Sequence, residues 1–426
     1  MVLMLRLVLW LSVSIVLLAP ALALAQAAPQ TPAAAAGSRL RVFLECGACF
    51  ETYLRDEIEW VDFLRDPNGA DVHIIGTSTG TGGGGQEVAL RFVGLDRFQG
   101  VDLELKAVSQ SGDTDDMRRQ NIRRVVTIGL LTYVERAGRG GDIRLRVDPA
   151  VAGGGQTTVA DDPWKAWVFT LRGSGSLDFE ESSRQWEWGA RATADRVTEK
   201  WNLSFAISAD TSTEEFDLDE DEPLSAVRRS REFESFVSRA LGPHWSLGFL
   251  GEASSSSFGN ERFVTNVAPA IEYNLFPYAD YASRQLRFTY APGMQHAKYY
   301  EVTLFDKLEE TNPAHNAEIT LDQVQPWGEL EVNFEFDQYL HDTSKYRLEA
   351  GGELSFRISR GLTLDLDGSI SRIRDQLSLP KRDATDEEVL LRLRELQSNY
   401  NSDFSVNLTY RFGSLFNNIV NPRFGR

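Results

Sequence analysis

The sequence predicts an α+β amino-terminal domain followed by an antiparallel transmembrane β-barrel of about twelve strands. Apolar and polar residues alternate one by one in residues 329–338 and 346–358, which is the period of a strand with two different faces. Such runs recur from Trp164 onward, and the links between them tend to alternate between short and long. The tryptophans of this region cluster at strand ends, where a membrane barrel carries its aromatic girdle.

The first 25 residues have the features of a secretory signal peptide. Arg6 supplies the positive charge, residues 7–18 are the apolar core, and Ala23, Leu24 and Ala25 form a small-x-small cleavage site. The alternative is an uncleaved anchor, but the apolar run is short for a bilayer span. We therefore expect cleavage after Ala25, export of the mature chain, and a flexible Ala/Pro-rich lead-in over residues 26–38.

The composition limits the classes of partner. The 426 residues carry a formal net charge of −18, whereas a nucleic-acid-binding surface needs the opposite charge, so we expect no nucleic-acid partner. The excess of acid indicates either solubility of exposed loops or recruitment of cations. With two cysteines and five scattered histidines, we expect neither a Cys/His metal site nor a bound cofactor.

Residues 39–137 have the pattern of a compact α/β domain with the order β-α-β-β-β-α. The predicted strands cover residues 40–45, 71–77, 87–93 and 101–108, and the predicted helices cover 51–64 and 114–134, the second capped by Asp113. Residues 80–85 are interpreted as a hairpin loop, because no helix and no Gly-Lys-Ser/Thr follow, as a phosphate-binding loop would require. Residues 138–163 are predicted to be a glycine-rich linker with one short strand over 143–147.

Residues 164–413 are predicted to form the barrel, and residues 414–426 a carboxyl-terminal tail. The twelve predicted strands cover residues 167–179, 186–194, 201–208, 232–241, 245–254, 263–275, 285–291, 316–324, 329–338, 346–358, 362–370 and 404–412. Links at 197–200, 242–244, 325–328 and 359–361 are short, the link at 276–283 is longer, and links at 210–228, 294–315 and 375–402 are long. In outer-membrane barrels the short turns face the periplasm, so we expect the amino-terminal domain there as well.

Seven tryptophans are assigned to the girdle at the membrane surfaces: Trp164, Trp167, Trp186, Trp188, Trp201, Trp245 and Trp327. The last strand alternates Phe404, Val406, Leu408, Tyr410 and Phe412 with polar residues. It resembles the terminal signal that bacterial barrel-assembly machinery recognises, although that signal usually ends the chain and fourteen residues follow Phe412 here. The alternative fold is a periplasmic sandwich, which needs neither a girdle nor a long/short rhythm of links.

On these features, residues 164–412 resemble the poorly characterised Gram-negative outer-membrane β-barrel proteins that carry a soluble periplasmic domain. The resemblance implies an outer-membrane location, surrounding lipid and the barrel-assembly machinery as partners. It rests on architecture, so it transfers no functional residue. The element order of residues 39–135 is loosely similar to the amino-terminal domain of the TolB family, which by itself transfers no partner.

Cys46 and Cys49 form a C-x-x-C pair where a strand is followed by a helix. This is the place of the redox motif in the thioredoxin family, and a helix amino terminus lowers a thiol pKa. No tryptophan precedes Cys46, however, and no later proline supplies that family's cis turn. A structural disulfide in an oxidising compartment is the alternative, and both interpretations stay open at this point.

The polar faces of the strands carry charges of both signs. The residues assigned to the lumen are Arg172, Arg191, Arg287, Glu318, Asp322, Glu329, Glu331, Glu335, Asp337, Arg347, Glu349, Glu353, Arg357, Asp365, Asp367 and Arg411. One interpretation is a narrow barrel filled by cross-strand ion pairs. The other is a small channel that favours cations because its lining has an excess of carboxylate.

Two predicted loops have features of a ligand-binding or capping segment. Asp217, Asp219 and Asp221 match the opening of a calcium loop, but Glu222 and Arg228 stand where its turn glycine and bidentate glutamate belong. We interpret this stretch as a solvated acidic loop. Residues 383–396 have the spacing of a short amphipathic helix that would cap the barrel mouth.

The favoured function is a structural anchor or small-solute channel that presents residues 39–137 to a periplasmic or cell-wall partner. An outer-membrane enzyme is the first alternative, with a rim site near His341, Asp342 and Ser344, although no motif joins these residues. The second alternative is a barrel-anchored redox module that uses Cys46 and Cys49. We expect no enzyme activity.

Overall fold

The structure is a computed structural model that describes residues 39–143, 162–181, 183–216, 224–359, 361–383, 395 and 397–413. Several predicted segments lie outside these residues: the signal peptide, the lead-in, most of the linker, the loop with Asp217, Asp219 and Asp221, most of residues 383–396, and the tail. Within the described part, no helix combines the length and the apolar character that a membrane span requires.

The amino-terminal region, called the module here, is a five-stranded sheet with two helices. Its elements are β1 (Leu40–Glu45), α1 (Glu51–Glu57), β2 (Val61–Leu64), β3 (Val72–Gly80), β4 (Gln86–Gly94), β5 (Asp102–Ser109) and α2 (Asp115–Val134). The strand order is β2-β1-β3-β4-β5. The strand β1 pairs in parallel with β2 and β3, whereas β3, β4 and β5 pair antiparallel.

The core of the module lies between this sheet and α2. Val126, Leu130 and Tyr133 of α2 are fully buried in one cluster with strand residues such as Leu90. The Tyr133 hydroxyl donates to the carbonyl oxygen of Val101 at 2.7 Å, so the buried phenol is satisfied. The helix thereby fastens the antiparallel half of the sheet.

The predicted helix over residues 51–64 is wrong in its second half. The helix α1 ends at Glu57, and Val61–Leu64 is the strand β2, whose residues pair with Leu40–Phe43 of β1. Val61 and Phe63 alternate with Asp62 and are 5% and 3% exposed. In so short a run helical and strand periods overlap, and the unpaired edge of β1 selects the strand.

The cap predicted for the second helix is also wrong by one residue. The Thr114 hydroxyl, not the Asp113 carboxylate, accepts the backbone N–H of the helix, from Met117 at 3.3 Å. Asp113 instead accepts the backbone N–H of Gln110 at 2.8 Å. Either side chain suits an N-cap, and only the backbone geometry decides between neighbours.

The second part of the chain is a twelve-stranded sheet in which every strand pairs antiparallel with its sequence neighbours. Its strands are β6 (Trp167–Phe179), β7 (Ser183–Val197), β8 (Trp201–Phe216), β9 (Leu224–Ala240), β10 (Trp245–Ser256), β11 (Glu261–Asn274), β12 (Arg284–Tyr299), β13 (Glu309–Gln325), β14 (Gly328–Tyr339), β15 (Tyr346–Ser359), β16 (Leu362–Ile373) and β17 (Tyr400–Tyr410). The predicted α+β region followed by a twelve-stranded antiparallel sheet is confirmed. Within the described residues no register joins β6 to β17.

Several strands extend further than predicted, into links that were expected to be long loops. In the predicted loop over 294–315, β12 continues to Tyr299 and β13 begins at Glu309, with Gln295 opposite Asn312. Apolar residues there, such as Met294, Ala297 and Tyr299, no longer share one face, so the alternation that marks a two-faced strand disappears although backbone pairing continues. The links after β7, β9, β11, β13 and β15 form the short-turn end of the sheet, and the others form the long-loop end.

The two faces of the sheet differ in chemistry. Large apolar side chains on one face remain exposed, among them Ile319 at 40%, Phe334 at 40% and Leu408 at 64%. On the other face, residues from β8 to β14 line one cavity of about 720 Å³. The sheet therefore curves around its polar face, which we call the lumen face.

Candidate functional site

The lumen face contains two rows of carboxylates that cross neighbouring strands in register. In the first row Asp322 lies opposite Glu331, Glu331 opposite Glu353, and Glu353 opposite Asp367, from β13 to β16. Like charges placed directly opposite each other destabilise a sheet. The row of four acids therefore lowers the stability of the sheet. It also concentrates negative charge on one part of the lumen face.

The second row is shorter and lies closer to the long-loop end. Glu318 of β13 is opposite Glu335 of β14, which is opposite Glu349 of β15. Between the two rows the register places Thr320 opposite Asn333. The lumen face thus alternates acidic rows with a neutral polar row along the strand direction.

Cationic side chains neutralise the rows only in part. Arg287 approaches Asp322 at 3.6 Å, and Arg347 contacts Glu349 at 3.2 Å and Asp375 at 2.9 Å. In contrast, within the described residues Glu331, Glu353 and Asp367 are exposed and have no side-chain hydrogen bond or ion pair. Ion pairs of the kind expected for a filled lumen therefore occur at the ends of the acidic rows, on Asp322 and Glu349, and not at Glu331, Glu353 and Asp367.

Amide side chains hold other acids of the lumen face. The Asn316 amide donates to Glu335 at 2.7 Å and to Asp337 at 2.9 Å, and Asn333 donates to Glu318 at 3.1 Å. These amides were not among the predicted lumen residues. The sequence could have indicated them, because Asn316 and Asn333 alternate in step with the neighbouring acids and so point to the same face.

Arg172 and Arg191 lie opposite each other in the pairing of β6 with β7. Arg191 reaches over β8 and contacts Glu234 of β9 at 2.7 Å. An ion pair that spans two strands is a further indication that the lumen face is concave. The predicted cationic residues of the first strands are therefore positioned apart from the acidic rows.

Four residues assigned to the lumen lie at its short-turn end. Arg357 contacts Glu45 of the module at 2.8 Å, and Asp365 accepts a hydrogen bond from the Ser355 hydroxyl at 2.7 Å. Arg411 follows the last residue of β17, and its backbone N–H donates to Gly361 at 2.7 Å. Glu329 begins the acidic side of β14 at this same end.

At the long-loop end three links are connected by buried hydrogen bonds. The Asn260 amide, between β10 and β11, donates to the carbonyl oxygens of Glu301 at 3.1 Å and Ser378 at 2.7 Å. The backbone N–H of Leu304 donates to Leu379 at 2.8 Å, and Leu379 is 4% exposed. The segment that follows β16 thus reaches the links beside β11 and β13, which narrows this mouth. The capping helix predicted over residues 383–396 lies mostly outside the described residues.

The seven predicted girdle tryptophans lie near both ends of the sheet. Five belong to the short-turn end: Trp164, Trp167, Trp201, Trp245 and Trp327. The other two, Trp186 and Trp188, lie near the start of β7 at the long-loop end. Trp164, Trp188 and Trp245 are 65%, 60% and 46% exposed, so these rings are available to a surrounding phase.

Cys46 and Cys49 form a disulfide at the end of β1. Both are buried, at 4% and 0% exposure. Gly76 of β3 packs against them so closely that an added Cβ would lie 2.1 Å from the Cys46 Sγ. Burial and close packing favour a structural disulfide over an accessible redox pair.

The rim histidine has no catalytic arrangement among the described contacts. The His341 ring packs against Tyr339 at 5.8 Å. The Ser344 hydroxyl donates to Asp342 at 2.7 Å, and this bond with the Ser344 backbone N–H lowers the pKa of Asp342. Ser344 therefore serves a local turn instead of facing a base. Among the described residues, no group of three or more metal-ligating side chains occurs.

Comparison with known proteins finds no matching family model and no matching curated protein. Solved structures with similarity include a NanC porin (9% identity, 58% of this chain, 99% of that chain, TM-score 0.29). The translocator domain of the autotransporter NalP from Neisseria meningitidis has 12% identity, coverage of 58% and 82%, and a TM-score of 0.20. A FadL homologue from Pseudomonas aeruginosa has 10% identity, coverage of 57% and 72%, and a TM-score of 0.25. Likeness at these TM-scores carries no argument about function.

Proposed function

We propose that the chain is an outer-membrane β-barrel whose acidic lumen conducts small cations and whose module lies in the periplasm. The observation that carries the proposal is the pair of opposite faces. One face exposes apolar side chains such as Ile319 and Leu408, and the other exposes the unpaired carboxylates Glu331, Glu353 and Asp367. Lipid suits the first face and an aqueous passage suits the second.

The sign of the selectivity follows from the balance of charge on the lumen face. The two rows hold seven carboxylates, of which Arg287 and Arg347 contact only two, Asp322 and Glu349; Arg347 also contacts Asp375 outside the rows. A ring or row of uncompensated carboxylate attracts cations and repels anions within about one Debye length, ~8 Å at physiological salt. Permeant solutes are therefore small cations rather than anions.

The test is the reversal potential of the refolded full chain in a planar bilayer under a salt gradient. We expect cation selectivity that falls toward zero in Glu331→Gln/Glu353→Gln, because this change removes the central pair of the four-acid row. The matched control is Glu59→Gln/Glu135→Gln, which removes two exposed charges of the amino-terminal region and leaves selectivity unchanged. Steps of equal selectivity in both variants would contradict an acidic passage, and a folded but silent chain would leave the anchor role.

The last strand fits the proposed route of assembly. Phe404, Val406, Leu408 and Tyr410 of β17 are between 54% and 72% exposed. In this proposal barrel-assembly machinery recognises that strand, and lipid then covers its apolar side chains. Surrounding lipid and the assembly machinery are the partners that the sheet requires.

A periplasmic or cell-wall partner for the module is a second part of the proposal. Met117 and Ile128 lie about three turns apart on α2 and are 54% and 49% exposed. Three turns bring the two side chains onto the same outer face of the helix, which is the surface that a partner would cover. Co-sedimentation with purified cell-wall sacculi tests it, and Met117→Glu/Ile128→Glu should abolish binding while module folding is retained.

A further inference from the structure

The module contacts the short-turn end of the sheet at four separate links. The contacts reach Val197 beside the link after β7, Tyr281 and Ala282 in the link after β11, Val324 beside the link after β13, and Gly361 in the link after β15. Residues Leu40–Arg426 form one compact unit, consistent with contact between the two parts.

An ion pair between Glu45 and Arg357 also joins the module to the end of the lumen face. Glu45, the last residue of β1, accepts from Arg357 of β15 at 2.8 Å and pairs with His73 of β3 at 2.8 Å. The Arg357 guanidinium also lies 5.1 Å from the ring centroid of Phe43 and donates to the carbonyl oxygen of Pro326 at 2.7 Å. A side chain of the predicted lumen set is thereby held by the module.

The second contact involves the link between β11 and β12. Lys106 of β5 donates to the Tyr281 hydroxyl at 2.7 Å and pairs with Glu87 of β4 at 2.9 Å, while Tyr281 donates to the same glutamate. Beside it the Thr77 hydroxyl donates to the carbonyl oxygen of Ala282 at 3.0 Å. Three strands of the module therefore converge on one link.

Further contacts lie on both sides of these two. Arg91 donates to the carbonyl oxygen of Val324 at 2.9 Å, and Asp66 accepts the backbone N–H of Gly361 at 2.8 Å. In the hairpin loop after β3, an added Cβ on Gly82 would lie 2.4 Å from the Val197 Cβ. The contacted links thus run from the second strand of the sheet to the eleventh.

The distribution of these links determines where the module must lie. In a curved sheet of twelve strands, the links after β7 and after β15 are eight strands apart, so they cannot lie side by side on one short arc of the rim. A body that touches both, together with the two links after β11 and β13, spans the opening between them. It cannot hang from a single edge.

The contact between the module and the sheet is mostly polar and contains a cavity, as in interfaces that can separate. The named contacts are hydrogen bonds and ion pairs, apart from the cation–π contact of Arg357 with Phe43 and the close approach of Gly82 to Val197. A cavity of about 920 Å³ lies between the two parts, and its lining includes Glu45, Asp66, Ser355 and Arg411. Polar, cavity-containing contacts between domains resemble transient interfaces more than a shared core.

We propose that the module is a stopper for the short-turn mouth of the barrel, held by Glu45–Arg357 and Lys106–Tyr281, and that passage of cations requires its release. The inference rests on the proposed channel function and adds its regulation. Docked, the module covers the mouth at which Arg357 ends the lumen face. Released, it leaves the acidic rows open to the periplasm.

The experiment uses the full chain in planar bilayers with a release variant and a lock. The release variant is Glu45→Gln/Lys106→Gln, which weakens both ionic contacts, and its matched control is Glu57→Gln, which removes an ion pair with Arg123 inside the module. We expect open probability to rise roughly ten- to a hundredfold in the release variant, the factor that corresponds to one charged hydrogen bond. The control should conduct like the parent chain.

The lock adds Gly82→Cys/Val197→Cys to the release variant. An ideal Cβ at Gly82 would lie 2.4 Å from the Val197 Cβ, whereas the two Cβ atoms of a disulfide are ~3.8 Å apart, so the hairpin loop has to move outward by about 1 Å for the bond to form. Oxidation should return conductance to the parent level or below, and mild reduction should restore it. The native disulfide is buried, and the release variant without the added cysteines controls for the reductant.

The outcomes separate the two proposals. Unchanged conductance in a fully cross-linked chain overturns the stopper and leaves the channel intact. A folded release variant that conducts like the parent chain also overturns it, because the two ionic contacts then do not hold the mouth closed. Silence of every variant, including the release variant, overturns the channel and the stopper together.

Discussion

Apolar side chains have opposite environments in the two parts of this chain. In the module Val42, Leu54 and Leu90 are completely buried, whereas in the sheet Leu171 and Leu408 are 85% and 64% exposed. Both sets of residues belong to helices or strands whose backbone groups are hydrogen-bonded. The difference shows that the module supplies its own apolar interior, while the sheet leaves its apolar face uncovered by any other part of the described chain.

Acidic side chains show the reverse difference. Asp71 of the module is 1% exposed and is held by Arg41 at 3.3 Å and Arg97 at 3.1 Å. Glu331 and Glu353 of the sheet lie opposite each other, exposed and without such partners. A buried carboxylate needs partners because desolvation is costly, and a carboxylate in a wet lumen does not.

The largest effect expected from this comparison is a cavity in the module. Leu90→Ala should destabilise the module by roughly 2–5 kcal/mol, since a fully buried leucine leaves space that neighbours refill only in part. Leu408→Ala should cost less, because lipid moves into the space beside β17. Hydrogen exchange of the full chain in lipid measures both, and equal losses would mean that Leu408 also packs in a closed core.

A charge placed on either face of one strand tests the external phase directly. Val332→Arg of β14 should destabilise the folded sheet by about 2–4 kcal/mol, the cost of a basic side chain near the middle of a bilayer. Its neighbour Asn333 points to the lumen face, so Asn333→Arg should cost little. The urea midpoint of the refolded chain in lipid vesicles measures the difference. A sheet whose apolar face lay in water would tolerate both changes, so equal urea midpoints for the two variants would contradict a covered apolar face.

Removal of the disulfide tests how much of the stability of the module comes from the cross-link and how much from its apolar core. Cys46→Ser/Cys49→Ser should cost about 2 kcal/mol, the loop-closure entropy of so short a loop. Hydrogen exchange should then show faster opening of β1 and α1. A redox role would instead predict loss of function without loss of protection, and ready reduction of the native protein.

The smallest effect concerns pH at the contact between the two parts. Burial raises the pKa of Glu45, but the hydrogen bond with His73 and the charge of Arg357 lower it by more, so the pKa lies below its ordinary value of 4.5. The charged groups that face it are His73, Arg357 and, more distantly, Glu329. Docking should therefore be complete above pH 4.5 and weaken as the pH falls through the lowered pKa.

The single-channel open probability of the full chain in planar bilayers between pH 6 and 3 measures this dependence, and it should rise on acidification. Glu45→Gln should remove most of the change, whereas Glu57→Gln should leave it as in the parent chain. Glu87 contributes in the same direction, because hydrogen bonds from Tyr281 and Lys106 outweigh burial and lower its pKa too. An open probability that falls on acidification would contradict the ionic contact.

The alternation of residues was sufficient to locate the strands of the lipid-facing band but not their full length. Residues such as Leu330, Val332 and Phe334 mark their strand because one face must be apolar. Beyond that band both faces are polar, and β9 and β13 begin at Leu224 and Glu309, each several residues before the predicted start. In the module, Val61–Leu64 was ambiguous because four residues fit a helix turn as well as a strand.

The candidate site was predictable as a set of residues but not as an arrangement. Glu318, Glu331 and Glu353 were assigned to the lumen from their parity alone, since a period of two decides the face. Which acid lies opposite which depends on register, and register depends on turn geometry and packing across strands. The partners Asn316 and Asp375 and the contact from Glu45 to Arg357 follow from that register and from docking.

The sequence by itself determined the elements and the faces of this protein: an α+β region, twelve two-faced strands, an acidic lumen face and a pair of cysteines close enough to bridge. These follow from local periodicity, charge and spacing, which act within a few residues. Only the tertiary structure decided that four acids form one row, that residues after β16 cross the long-loop end, and that the module docks at the short-turn end. Those features join residues far apart in the chain, such as Glu45 and Arg357, and no local pattern specifies such contacts.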